Sequence, residues 1–256
     1  MLKGIDHIVI GVADLERAIA DFSGLGFTVV RGGRHPGIGT HNALIAFADG
    51  AYFELLAFTA ETSPHPWFAA IAKGGGLIDF CAQTDDLGTD AASLKRAGVQ
   101  IGDPFPMERV RPDGYTVKWV LAVTQAPSAG AVPFLIKDTT PRDERVPRQR
   151  SHPNGATGVS SLTIAVANVT QVQRWYQDAF GISAEQSERG NIGGEGVRFS
   201  IGPHRIEILS PASASSPLRE KLNRHGASPF EVSVAGAKTH WPLDLQRAHG
   251  ARLSFA

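Results

Sequence analysis

The sequence predicts an α+β fold of tandem β-α-β-β-β modules, three complete and a fourth truncated, pairing into open cup-shaped mixed sheets. Three observations predict it. The stretches "IDHIVIGVADL" (5–15), "LIDFCAQTDDL" (77–87) and "VSSLTIAVANV" (159–169) each alternate like a strand and end near Asp14, Asp86 or Asn168, residue types that cap helix N-termini. A helical stretch closed by glycine follows each one: "ERAIADFSGLG", "GTDAASLKRAG" and "TQVQRWYQDAFG". Three extended runs separated by turn residues then complete each unit, and repetition of this kind sets the architecture.

In the first module those runs are "FTVVRGG", "THNALIAFAD" and "AYFELLAF", the last two joined by a hairpin turn at "ADGA". The segment "TSPHPWFAAIAKGG" (62–75) reads as a connecting helix with Trp67 and Phe68 packing down. In the second module the runs are "VQIGDPFPMERV", "YTVKWVLAVT" and "VPFLIKDT", with "RPDG" as the turn. In the third they are "SAEQSE", "GVRFSIG" and "RIEILSP". A fourth unit starts at "ASPFEVSV", has a short helical piece "LDLQRAHG" and stops at "ARLSFA". Modules one and two should form one domain (1–145), and modules three and four a smaller one (152–256). Between them "TPRDERVPRQRSHPNGATG" carries three prolines and two glycines, which suits a linker.

Composition narrows the function classes. Apolar residues are 42 % and charged residues 20 %, and 25 basic side chains balance 25 acidic ones. No overall field draws nucleic acid or an anionic membrane, so a small-molecule ligand is expected. Cys81 is the only cysteine, which excludes an intrachain disulfide and reads as a small buried apolar residue. The N-terminus lacks the pattern of a secretory leader, and no apolar run reaches the ~20 residues of a membrane span. A cytoplasmic location is expected. Phosphate loops, dinucleotide fingerprints, nucleophile elbows and zinc-finger spacings are absent from the sequence.

His7 stands in the middle of an apolar strand. Aligned on Leu15, Leu87 and Val169, the modules set His7 opposite Asp79 and Ser161. The last strand of module one holds Glu54 in "YFELL", 47 residues after His7, and that of module three holds Glu207 in "RIEIL", 46 after Ser161. In module two the place belongs to Phe134 or a neighbour. If modules one and two pair, His7, Glu54 and Asp79 meet on the cup floor. Buried carboxylates are costly unless paired, and a divalent cation would satisfy both acids and orient the imidazole, leaving coordination positions open. The alternatives are a core histidine bonded to a backbone carbonyl, a Glu54 paired with Arg31 or Arg34, and an Asp79 bonded to a neighbouring turn.

Other residues fall near the cup. His41 and Asn42 open a strand, where they either contact substrate and a ligand carboxylate or cap a turn. His35 lies in "RGGRHPGIGTHN", a stretch that reads as a covering loop or a plain one. Arg109, Arg111, Lys118 and Trp119 form either a rim that holds a carboxylate-bearing substrate or a solvated hairpin. In the C-terminal half, Glu207 and Glu231 without an imidazole make a poor transition-metal site, so that half is read as a packing or dimerisation unit. The open edges of the truncated module invite a homodimer.

The stretches "DHIVIGVADLERAIADFSGLGF", "RHPGIGTHNALIAFADGAYFELLAF", "TPRDERVP", "HPNGATG" and "WYQDAFG" resemble the glyoxalase-like domain family of the vicinal oxygen chelate superfamily. The resemblance implies paired βαβββ modules with a divalent metal at first and fourth strands. It implies His7 and Glu54 as ligands, with Asp79 at the first-strand place of module two. Phe134 departs from the four-ligand pattern of glyoxalase I and from the two-histidine, one-carboxylate set of extradiol dioxygenases. The expected activity is that of a lyase or isomerase using Mn²⁺, Mg²⁺, Zn²⁺, Ni²⁺ or Fe²⁺ to stabilise an enolate. Glu54 or His41 would move the proton, and Asn42, Arg109, Trp119 and Phe134 would hold the substrate. The other readings are a metal-free binding protein of the bleomycin-resistance type and an extradiol-type dioxygenase.

Overall fold

Helices start where their capping residues put them. In the computed structural model, which describes residues 2–236 and 242–255, the Asp14, Asp86 and Asn168 side chains accept from Arg17, Thr89 and Gln171 backbone N–H groups. Each such cap stabilises its helix by about 1 kcal/mol. Residues 1 and 256, the outer limits of the two expected domains, lie outside the described residues.

Module one is β1 (Leu2–Gly11), α1 (Leu15–Gly24), β2 (Val30–His35), β3 (Thr40–Ala46) and β4 (Tyr52–Phe58). Helix α2 (Pro66–Ala72) leads to module two: β5 (Gly76–Thr84), α3 (Leu87–Arg96), β6 (Phe105–Val110), β7 (Thr116–Ala122) and β8 (Phe134–Asp138). A one-turn helix α4 (Arg142–Arg145) precedes module three, comprising β9 (Gly158–Ala165), α5 (Val169–Phe180), β10 (Glu185–Arg189), β11 (Gly194–Ile201) and β12 (His204–Pro211). Helix α6 (Pro217–His225), β13 (Ser228–Ala235) and β14 (Leu253–Phe255) follow. Two local expectations change. The piece "LDLQRAHG" forms turns instead of a helix. The unexpected α6 begins at Ser216 and Pro217, a capping serine followed by proline at the first helical position.

The eight strands of modules one and two close into a barrel ordered β1-β4-β3-β2-β6-β7-β8-β5. The expected cup is thus a ring with two unequal seams. β1 and β5 pair from Leu2 to Gly11, whereas β2 and β6 meet at Arg34 and Val110 alone. Gly33 permits that second seam: its φ is +140°, and a Cβ there would lie 2.0 Å from the Val110 carbonyl oxygen. Modules three and four form a six-stranded sheet, β10-β11-β12-β9-β13-β14.

The outer faces of both sheets share one core, in which Ile8, Phe22 and Phe80 join Leu162, Tyr176 and Val232. A fully buried side chain of this size stabilises the fold by roughly 1.5–3 kcal/mol. Polar contacts cross the same junction. Tyr176 donates to the Ala131 carbonyl at 3.1 Å, and the Ile5 N–H donates to His204 Nδ1 at 2.9 Å. No helix of the described residues is long and apolar enough to cross a membrane.

Register fixes how the modules correspond. Val9 lies opposite Glu54 across β1 and β4, Cys81 opposite Phe134 across β5 and β8, and Thr163 opposite Glu207 across β9 and β12. His7, Asp79 and Ser161 each stand two residues earlier, so the three are equivalent. Likewise Asp79 faces Val9 and Glu231 faces Thr163, which makes Glu231 the counterpart of Asp79.

Candidate functional site

The barrel encloses a cavity of about 430 Å³ that His7, Glu54 and Asp79 all line, together with Asn42, Arg109, Trp119 and Phe134. A volume of this size suits a small organic molecule. His7 stacks on Tyr52 at 4.8 Å between ring centroids and meets the edge of Phe134 at 5.3 Å. Its Nδ1 lies 2.7 Å from Asp6 Oδ1. Asp6 is pinned as a carboxylate, for although burial opposes its charge, Arg145 and Arg142 hold it well below the usual aspartate range. An ionised acceptor at Nδ1 holds a proton there and turns Nε2 toward Glu54 and the cavity.

Strict strand alternation would send Asp6 and His7 to opposite faces. A β-bulge between Ile5 and His7 brings them together. Asp6 was missed from the sequence for that reason, its only signal being an acid beside the histidine. Arg145 and Arg142 were missed too. They lie in the expected linker, yet α4 inserts Arg145 to 2 % exposure, where it bonds both Asp6 oxygens, Asp138 and the Tyr52 hydroxyl. Arg142 ion-pairs with Asp6 as well.

Glu54 lies with one oxygen, Oε2, 3.4 Å from His7 Nε2, while the other accepts from Asn42 Nδ2 at 2.6 Å. Two ligands about 2.1 Å from one tetrahedral or octahedral ion stand roughly 3.0–3.4 Å apart, so this gap matches a chelating pair. Arg31 pairs instead with Glu16, and Arg34 is exposed, so neither takes Glu54. Asp79 accepts from Trp67 Nε1 at 3.0 Å and from the Phe80 N–H at 2.9 Å. Burial nevertheless pushes its carboxyl up to about 6.

That shift has a measurable sign. Between 3.8 and about 6 the folded chain holds a proton that the unfolded chain releases, so stability falls as pH rises through this window. Asp79→Asn is therefore expected to stabilise chelator-treated protein at pH 7.5 by up to about 3 kcal/mol, with the gain vanishing near pH 4. Denaturant midpoints at the two pH values check this, and an equal effect at both would exclude it.

His41, expected as a proton carrier, lies on the opposite face of β3 from Asn42, because adjacent strand residues point apart. It is half-buried among charges that include Arg34, Glu16 and Arg31 and does not line the cavity. His35, read above as a loop residue, lines the cavity from the end of β2. Its Nδ1 lies 3.0 Å from Thr40 Oγ1, and its Nε2 lies 4.0 Å from Glu54 Oε1. Burial lowers its pKa to about 4, so the ring is neutral at pH 7.

Among the described residues, one group of three potential ligands has all donor atoms within 4.8 Å: Asp6, His7 and Cys81. Its chemistry disfavours a metal. Both Asp6 oxygens are bonded to guanidinium groups, and burial pushes the Cys81 thiol up. Asp79 stands farther off from the close pair of His7 and Glu54.

The C-terminal sheet supplies an internal comparison. There the counterparts of Glu54 and Asp79 are bridged by one side chain: Arg189 donates to Glu207 at 3.0 Å and to Glu231 at 2.9 Å. A protein cation occupies the space between the two acids. In the barrel neither Glu54 nor Asp79 has an Arg or Lys within ion-pair distance among the described residues. Glu54 and Asp79 thus lack the side-chain cation that bridges their counterparts.

A family model described as a glyoxalase-like domain matches residues 5–180. No curated protein matches the chain. Among solved structures, a hypothetical protein from Staphylococcus aureus is 17 % identical, with 100 % of this chain and 99 % of that one covered and a TM-score of 0.74. A triple mutant of 4-hydroxymandelate synthase from Streptomyces coelicolor is 15 % identical over 91 % of this chain and 71 % of that one, with a TM-score of 0.60. A xylose isomerase-like TIM barrel/4-hydroxyphenylpyruvate dioxygenase fusion protein is 15 % identical over 98 % of this chain and 38 % of that one, with a TM-score of 0.54. Likeness at such identities is one of fold. From the match to most of its length and the paired modules it folds into, the chain belongs to the glyoxalase-like domain family.

Proposed function

We propose that the barrel is a divalent-metal-dependent lyase or isomerase acting on a small oxygen-bearing molecule. The observation that carries this reading is the contrast between the two halves: Arg189 bridges the acid pair of one, and among the described residues no Arg or Lys lies within ion-pair distance of the pair in the other. His7 Nε2 and Glu54 Oε2 would hold the ion, and Asp79, farther off in the same cavity, would help balance its charge. When bound, such an ion acts as a Lewis acid that eases loss of a proton beside a substrate carbonyl.

The chain's own groups do the rest. Asp6 fixes the His7 tautomer, and Asn42 holds Glu54 Oε1 so that Oε2 faces His7. Glu54 is the proton acceptor, and returning the proton to a different carbon face or expelling a leaving group separates isomerase from lyase. Neutral His35 takes the place expected of His41, as a hydrogen-bonding group for a substrate oxygen. Trp119 and Phe134 exclude water. The remaining single histidine ligand, with Phe134 at the fourth place, ranks an extradiol-type dioxygenase lower.

A metal-free binding protein is the second reading, favoured by the two hydrogen bonds that already satisfy Asp79. Metal analysis of protein purified without chelator or histidine tag separates the two. About one equivalent of divalent metal per chain, lost in His7→Ala, is expected. Metal-free protein that binds its ligand undiminished after His7→Ala would refute the enzyme reading.

A further inference from the structure

Arg109 is a buried cation with no carboxylate in ion-pair contact among the described residues, Glu54 acting on it only from farther off. It is 3 % exposed on β6 and lines the cavity. Its one side-chain hydrogen bond runs from Nη2 to the Arg145 carbonyl at 2.7 Å, and its Nε meets no partner. The nearby arginines differ. Arg111, Arg142 and Arg145 each ion-pair with a carboxylate, whereas no acid of the described residues lies within 4.0 Å of Arg109. An unpaired buried guanidinium is costly, and its planar fork is shaped to take a carboxylate on two N–H groups.

The surroundings set the rest of the ligand. Trp67, Trp119, Phe134 and Met107 face the same space, with Trp67 and Phe134 in ring contact at 5.8 Å. Phe105 lines the cavity while 40 % exposed, which puts an aromatic side chain at its rim. Charge points the same way. Glu54 and Asp79 together balance a dication, so Arg109 leaves the loaded cavity with one surplus positive charge.

We propose that the barrel's ligand is a monoanionic carboxylic acid with an aromatic or branched apolar body, its carboxylate bound by Arg109. The charge count rests on the metal reading above, whereas the unpaired guanidinium does not.

The test compares phenylacetate with its methyl ester, which shares the body but lacks the charge, by calorimetry on Mn²⁺-loaded full-length protein. The acid is expected to bind at least about tenfold more tightly. Arg109→Met should erase that preference while leaving ester binding within about twofold, and Arg109→Lys should keep part of it. Equal binding of acid and ester to the parent protein, including no binding of either, overturns the proposal, and this arm needs no variant to fold. A preference that survives Arg109→Met overturns it as well. Mn²⁺ stoichiometry, read separately by electron paramagnetic resonance, distinguishes the two readings. A protein that takes no Mn²⁺ yet prefers the acid through Arg109 loses the metal reading and keeps this one.

Discussion

Glu54→Gln is expected to weaken Mn²⁺ binding by more than about a hundredfold while the thermal midpoint of the metal-free protein holds or rises. Glutamine keeps the volume and still offers Asn42 an oxygen, so the 2.6 Å hydrogen bond survives. What disappears is the negative charge next to His7 Nε2. Removing a partner that merely orients a ligand typically lowers affinity by 10–100-fold, so losing a ligand should exceed that range. Asn42→Ala provides the graded comparison and should fall inside it, because Glu54 keeps its charge and loses only its tether. Calorimetric titration at pH 7.5 reads both. Unchanged Mn²⁺ affinity in Glu54→Gln would remove Glu54 from the site.

The second large effect is structural. Arg145→Met should destabilise the chain by about 3–5 kcal/mol, the range for breaking a buried ion pair from one side. Arg145 is nearly inaccessible and Asp6 is wholly so, so the variant leaves Asp6 with Arg142 and His7 as partners. Typical domains have only about 5–15 kcal/mol in hand, so the loss should be plain in urea denaturation. Its pH dependence is signed. Asp6 is held well below 3.8 in the folded chain, so its contribution is present at neutral pH and lost as pH falls below that value. The gap between parent and variant should therefore narrow in acid. Asp6→Asn combined with Arg145→Met should recover part of the loss, and a double variant no better than Arg145→Met alone would contradict the pairing.

Periodicity reached far into this fold because the modules repeat. Near-equal spacings, 47 residues from His7 to Glu54 and 46 from Ser161 to Glu207, marked the paired first and fourth strands, and register places those residues as the spacing implied. Three features escaped it for physical reasons. The bulge at Asp6 breaks the two-residue period, so a residue that strict alternation would set on the opposite face from His7 comes to bond it. His41 and Asn42 are neighbours on one strand, and period alone does not say which of them faces in. Arg142 and Arg145 sit among prolines and charges that read as solvent-loving linker, yet acids distant in sequence draw them inside. Partners separated by more than a hundred residues leave no local trace.

If the barrel takes a metal as proposed, Arg189 has a consequence for how the molecule meets its scarcity. A guanidinium is a genetically encoded charge: it never dissociates, and it offers no vacant seat for a reactant. The sheet that carries it thereby balances its own acid pair from within the chain. Since that sheet shares its apolar interior with the barrel, it offers the barrel's strands a support whose own charge balance needs no ion.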